Sequence, residues 1–558
     1  MMRKTISSIL LVFILLLPLK TLAQGANMSK VAANIFTLTT FNSDGSIHGS
    51  THGVFAGTQG EAIAPWHVFV GAARATVIDS KGQQNDVDAI VGASEMYDLC
   101  RFRVKGNRLP TGLSINTLDA PVSPVTLVSF SAKKVDSHKV KPLRIEKFMS
   151  TYNYYVFNDV DVSSTDLGCP IVNATGQLLG LMQRPQDGGQ AFSADARLTT
   201  TFTTNGLSLS DPTLKATAIR PALPTEEQQA TLMLVLAAEQ TDSTNYETYI
   251  HEYISRFPTA TTGYLTLANW YERYGKFSLA DATLKTETQK AAKKDEAYYD
   301  YAKTVYQASV ARVDTLYPAW TFLRATELAQ QADKLNPQPA YKHLQAQILY
   351  ATGNYDKALE GFTALQSSDL GKNGEVYFEA AQCKTQLKAP TSEVLALLDK
   401  AVSVQSGTPS APYVLARARV YDVTGDYRKA FNDYLTYDSL VNYQGSDDFY
   451  YAKFKCEMKL RQYQLALNDI AHAIVLNRTA PTYYAEMASL QLKVGKYDDA
   501  VKTCDLALQL TQQYSDIYII KGIALCEQKK KEEGIAALQS AQQLGDSRAE
   551  SLIKKYQK

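Results

Sequence analysis

One of the chain's seven histidines closes a run of small and aromatic residues, Ala62-Ile63-Ala64-Pro65-Trp66-His67-Val68. Asp98 stands 31 residues further on, within Tyr97-Asp98-Leu99-Cys100-Arg101-Phe102. A carboxylate beside an imidazole fixes its tautomer and stabilises the imidazolium formed when the ring takes a proton. A third segment, Thr165-Asp166-Leu167-Gly168-Cys169-Pro170-Ile171, holds a hydroxyl and a thiol, two of the groups from which enzymes make nucleophiles. The remaining histidines are scattered, and His251-Glu252 lacks the second histidine one turn on that a zinc-binding helix needs. No metal and no cofactor is expected.

The His67 segment, preceded by Ser50-Thr51-His52-Gly53-Val54-Phe55, resembles the chymotrypsin/trypsin-like serine proteases. In that family a glycine-bearing strand leads to a small-residue segment ending in the catalytic histidine. Asp98 falls where the family places its orienting carboxylate, and the short gap is similar to compact HtrA-type members. The third segment resembles the family's Gly-Asp/Asn-Ser-Gly-Gly/Cys-Pro. On this resemblance His67 is the remnant of the general base and Asp98 that of the orienting acid. Leu167 occupies the nucleophile position, and Thr165 replaces the glycine whose N–H faces the oxyanion. Leucine has no hydroxyl to attack with, and a side chain at 165 disturbs the conformation that aims the donor. Ser164 lies three positions before Leu167, about 10 Å away in extended chain, and Cys169 sits where the family often carries cysteine without catalysis.

These residues need a β-framework to hold them. From Ser29 to Leu209 short β-branched and aromatic runs alternate with glycine and asparagine turns, the texture of a barrel or sandwich. The resemblance makes this an all-β trypsin-like double barrel over residues 29–210. Prolines at 212, 221 and 224 mark a change of texture, and residues 211–224 read as a linker. Beyond it, Ala466, Ala500 and Gly534 recur every 34 residues, with small or apolar partners at Phe454, Ala488 and Gly522 and at Ala473, Ala507 and Ala541. That period resembles the tetratricopeptide repeat (TPR). About eight helical hairpins are expected over residues 225–558, forming an all-α superhelix whose concave face, by the resemblance, holds peptides or partner proteins. Tyrosine is abundant here and reads chiefly as packing between helices.

Met1-Met2-Arg3-Lys4, an apolar stretch from Ile9 to Leu17, and Thr21-Leu22-Ala23 form a signal peptide over residues 1–23. Pro18 and Lys20 interrupt the stretch before it reaches the roughly 20 residues of a membrane span. The mature chain is therefore expected outside the cytoplasm, periplasmic or extracellular, without a transmembrane segment. With 57 basic against 56 acidic residues, nucleic acid is not an expected partner. Cys383, Cys456, Cys504 and Cys526 lie in helical patterns as buried apolar residues, and pairing of Cys100 with Cys169 stays open. The leading reading is an exported peptide- or protein-binding scaffold made of a catalytically degenerate serine protease domain and TPR repeats. An active serine-type endopeptidase with TPR-mediated recruitment is the alternative, and a β-domain that merely caps the array is a third.

Overall fold

The computed structural model describes residues 28–119, 125–131, 134–158, 162–183 and 190–557. The expected signal peptide lies outside them. Among the described residues no helix is long and apolar enough to cross a membrane.

Alternating apolar positions produce six strands: β1 (Ile35–Phe41), β2 (Ile47–Phe55), β3 (Glu61–Ala64), β4 (Arg74–Ile78), β5 (Gln84–Ser94) and β6 (Leu99–Lys105). They close into an antiparallel barrel in the order β1-β2-β3-β6-β5-β4. Inward-facing rings fill it, with Phe36 against Phe55 at 4.9 Å, Phe69 against Phe102 at 5.1 Å and Trp66 stacked on Phe69 at 6.0 Å. Burying each such ring stabilises the barrel by roughly 1.5–3 kcal/mol.

Seven further strands follow: β7 (Val125–Ser131), β8 (Lys134–Val140), β9 (Arg144–Phe148), β10 (Tyr152–Phe157), β11 (Pro170–Val172), β12 (Leu178–Leu181) and β13 (Ala191–Ala194). They form the sheets β12-β11-β7-β8 and β13-β10-β9, which single bridges at Gly180–Asp195 and Gln183–Phe192 join. Leu127, Tyr155, Ile171 and Leu181 pack there against Val54, Ile63 and Leu99 of the first barrel. The N-terminal region thus has the all-β trypsin-like fold that its motifs imply.

Residues 211–224 run along the first barrel. The Gly71 N–H donates to the Ala216 carbonyl at 2.7 Å, and Ile90 exchanges hydrogen bonds with Arg220 and Ala222 at 2.9 and 2.7 Å. The helix Ser243–Arg256 grips the same stretch, its Tyr249 hydroxyl donating to the Pro221 carbonyl at 2.8 Å. Arg220 bridges Asp88 of β5 and Glu252 of that helix, at 2.8 Å each. Contacts divide the chain into two compact units between Lys293 and Lys294. Helices 227–256 and 261–290 accordingly belong with the β-region.

The second unit is helical throughout, a run of hairpins of TPR type. Its helices Asp447–Lys459, Pro481–Lys493 and Ser515–Glu527 begin 34 residues apart, as the alanine spacing requires. Ala466 and Ala500 are completely buried. A Cβ on Gly522 would meet the Gly534 carbonyl at 2.9 Å, and one on Gly534 the Cys526 sulfur at 2.4 Å. The last hairpin closes because neither position carries a side chain. Tyr301, Tyr434 and Tyr450 are almost wholly buried, as tyrosines that pack between helices should be.

Candidate active-site cleft

His67 stands just past β3, on a turn pinned by the Trp66 ring and by the Phe69 N–H donating to the Trp66 carbonyl at 2.9 Å. Asp98 lies in the turn between β5 and β6, with φ +47° in the left-handed region that aspartate and asparagine tolerate better than most residues. Both carboxylate oxygens serve His67: Oδ1 accepts its backbone N–H at 2.7 Å and Oδ2 meets ring Nδ1 at 2.7 Å. Because a carboxylate only accepts, the ring proton sits on Nδ1 and Nε2 is left to act as base. The bond to Asp98 raises the His67 pKa above the ordinary histidine value, against the opposing pull of burial. The imidazole is largely open to solvent, its side chain 63% exposed.

Gln183, on the strand run after β12, fixes the turn from behind. Its Nε2 donates to the carbonyls of Tyr97 at 3.1 Å and Asp98 at 2.9 Å, and the side chain is buried. No motif marks this glutamine in the sequence. Its only signal is a buried amide at the end of an apolar strand.

The loop of residues 163–169 is held from inside and from β2. The Asp166 carboxylate accepts the Ser163 N–H at 2.9 Å and the Ser163 hydroxyl at 2.6 Å. Gly168 has φ +77° and donates its N–H to the Met182 carbonyl at 2.8 Å. A Cβ there would lie 2.0 Å from the His52 carbonyl oxygen. The His52 N–H donates to the Leu167 carbonyl at 3.4 Å, tying the loop to the glycine-bearing strand. The Leu167 side chain is half-buried against the second core.

Among the described residues the N–H groups of Thr165 and Leu167 donate to no protein acceptor, leaving two backbone donors available on this loop. His67 Nε2 likewise has no hydrogen-bond partner. The hydroxyls and thiol of the loop are not turned to it: Ser163 Oγ bonds Asp166 and Thr165, while Cys169 is wholly buried with its Sγ on the Thr165 carbonyl at 3.4 Å. Ser164 is exposed and does not bond His67. Cys100 and Cys169 are both buried, and neither is in a disulfide. Burial lowers the pKa of His52, and its Nδ1 is enclosed without a partner. Chemically, among the described residues, His67 is an oriented base and the 163–169 loop offers two free backbone donors, but no hydroxyl or thiol is engaged by the base.

No family model matches the chain. Over 101 residues it is 31% identical to the small glutamine-rich tetratricopeptide repeat-containing protein 2 of Saccharomyces cerevisiae, covering 18% of this chain and 29% of the relative. Over 79 residues it is 34% identical to the tetratricopeptide repeat protein 4 homolog of Dictyostelium discoideum, covering 14% and 20%. The chain thus spans less than a third of either curated relative. Similar solved structures include YrrB, a TPR protein with an unusual peptide-binding site, at 20% identity and TM-score 0.32, covering 35% of this chain and 99% of that one. The active form of the Rv3671c protease from M. tuberculosis has 14% identity and TM-score 0.28, covering 33% and 85%. The HtrA-type protease AlgW with a tripeptide has 17% identity and TM-score 0.27, covering 32% and 61%.

Proposed function

We propose that this chain is an exported peptide-binding scaffold in which a catalytically degenerate trypsin-like domain holds extended polypeptide and the TPR array recruits a protein partner. The observation that carries the reading is Leu167 at the position where the resemblance expects the nucleophile, in a chain that keeps His67 and Asp98. His67 and Asp98 are bonded at 2.7 Å, yet among the described residues no hydroxyl or thiol engages the imidazole. A hydrogen bond from nucleophile to base is the geometric signature of an activated serine. With the backbone donors of Thr165 and Leu167 free, such a cleft retains means of gripping a peptide carbonyl while lacking the means of cutting it. Export rests on the N-terminal sequence, and recruitment on the repeat fold.

The test is fluorescence anisotropy of dye-labelled extended peptides of randomised sequence with the purified chain, each mixture afterwards read by mass spectrometry. Saturable binding with intact peptides is expected, equally in His67→Ala. Scission that disappears in His67→Ala would make the chain an endopeptidase. Neither binding nor scission would reduce the β-domain to a cap on the helical array.

A further inference from the structure

We infer that His343, Glu375 and Glu379 form a site for a divalent transition-metal ion of the zinc class, held between two helices of the second unit. The helix Pro339–Ala351 supplies His343, and the helix Glu375–Gln386 supplies both glutamates one turn apart, so that their carboxylates share a face. One ligand atom from each residue lies within 4.8 Å of the other two. His343 Nε2 and Glu379 Oε2 are already 2.5 Å apart.

The surroundings fix two of these ligands and leave the third free to close. Gln347, one turn beyond His343, donates its amide to the other Glu379 oxygen at 2.8 Å and holds that carboxylate in place. The Phe362 ring packs edge-on against the imidazole at 5.8 Å. Both His343 and Glu379 are largely buried, with side chains 13% and 14% exposed. Glu375 is exposed, and among the described residues its carboxylate has no hydrogen-bond or ion-pair partner. Such supporting contacts, which orient a ligand without touching the ion, are what metal sites use to set rotamer and basicity.

Charge points the same way. Among the described residues no lysine or arginine pairs with Glu375 or Glu379, so two carboxylates face a single imidazole. A protonated imidazole offsets one of the two carboxylates, and a divalent cation would offset both. An imidazole in the donor set favours zinc-like ions over calcium or magnesium, which prefer oxygen alone. Three protein ligands leave one tetrahedral position for water or for a donor from a bound molecule. Donors at about 2.0–2.2 Å from such an ion lie roughly 3.4 Å apart, so on binding the ion replaces the proton shared by His343 Nε2 and Glu379 Oε2, that pair opens from 2.5 Å, and Glu375 swings inward.

Cobalt(II) is the probe, because its visible d–d bands report coordination number. The full chain, stripped with a chelator, is titrated with Co2+, after which Zn2+ is added. A single equivalent bound with four-coordinate bands, bleached by Zn2+, is expected. His343→Ala and Glu379→Gln should abolish the bands, and Glu375→Gln should weaken affinity at least about tenfold. His67→Ala should change nothing, which excludes the exposed cleft histidine as the binder. Glu375 is at the surface, so its variant decides the matter even if substitution at the buried positions disturbs folding. Absence of bands in the unmodified chain overturns the site, as does binding that survives Glu375→Gln unweakened.

Discussion

The arginine–carboxylate network beside the β-region offers a sharp energetic test. Glu252 accepts from Arg220 at 2.8 Å, Arg103 at 2.8 Å and Arg256 at 2.9 Å, while Asp88 accepts from Arg220 at 2.8 Å and Arg103 at 2.5 Å. Three guanidinium groups thus share two carboxylates, and Arg220 and Glu252 are only 7% and 13% exposed. Glu252→Gln keeps the shape but leaves three positive charges facing Asp88 alone. Breaking a buried pair costs about 3–5 kcal/mol, and the residual exposure here puts the loss at the lower end, about 3 kcal/mol. For a unit of this size that lowers the midpoint of its thermal transition by roughly 6–12 °C. Calorimetry on the full chain reads this directly. Adding Arg220→Met should recover part of the loss, since the surplus cation is then gone. A change below about 0.5 kcal/mol, the range of ordinary surface substitutions, would refute the view that this network carries energy.

Three further outcomes are expected. Leu167→Ser should gain slow, His67-dependent labelling by a fluorophosphonate, and adding Thr165→Gly should speed it if the threonine restricts the backbone donors. In Asp98→Asn, which keeps the left-handed turn accessible, the NMR titration of His67 should fall below that of the unmodified chain. Because the folded pKa is raised, this stabilisation is full below the unfolded value near 6.5 and fades as pH rises through the folded one, so the variant should lose more stability at pH 5 than at pH 9. Gly534→Ala should destabilise the last hairpin despite the better helix propensity of alanine, because its Cβ meets the Cys526 sulfur at 2.4 Å. An equal or higher melting temperature would show that the hairpin has room to spare.

What could be read from the sequence was whatever local spacing dictates. His67 and Asp98 sit at the ends of strands whose pairing brings the two turns together, and 34-residue steps of small residues specify closely packed hairpins. Contacts without a motif were hidden. Gln183 reaches Asp98 across 85 positions through a single amide, and Arg220 meets Asp88 across 132. His343 and Glu379 share no motif, and only the packing of their helices brings them together across 36 positions. Lys453 and Glu457 are both buried, Lys453 bonding Asp438 at 2.9 Å and Asp469 at 3.2 Å, and no motif marks either. Burial raises the Glu457 pKa and Asp469 adds to it, a consequence of the fold that composition cannot foretell.

The central claim is that the cleft keeps its base and has lost its nucleophile. Intact-mass spectrometry of the unmodified chain after exposure to excess fluorophosphonate tests it most directly, with His67→Ala treated alongside. An unchanged mass for both is predicted, because Leu167 offers no hydroxyl for His67 to activate. Stoichiometric addition to the unmodified chain that vanishes in His67→Ala would contradict the account and establish a serine-type enzyme with a nucleophile supplied from elsewhere.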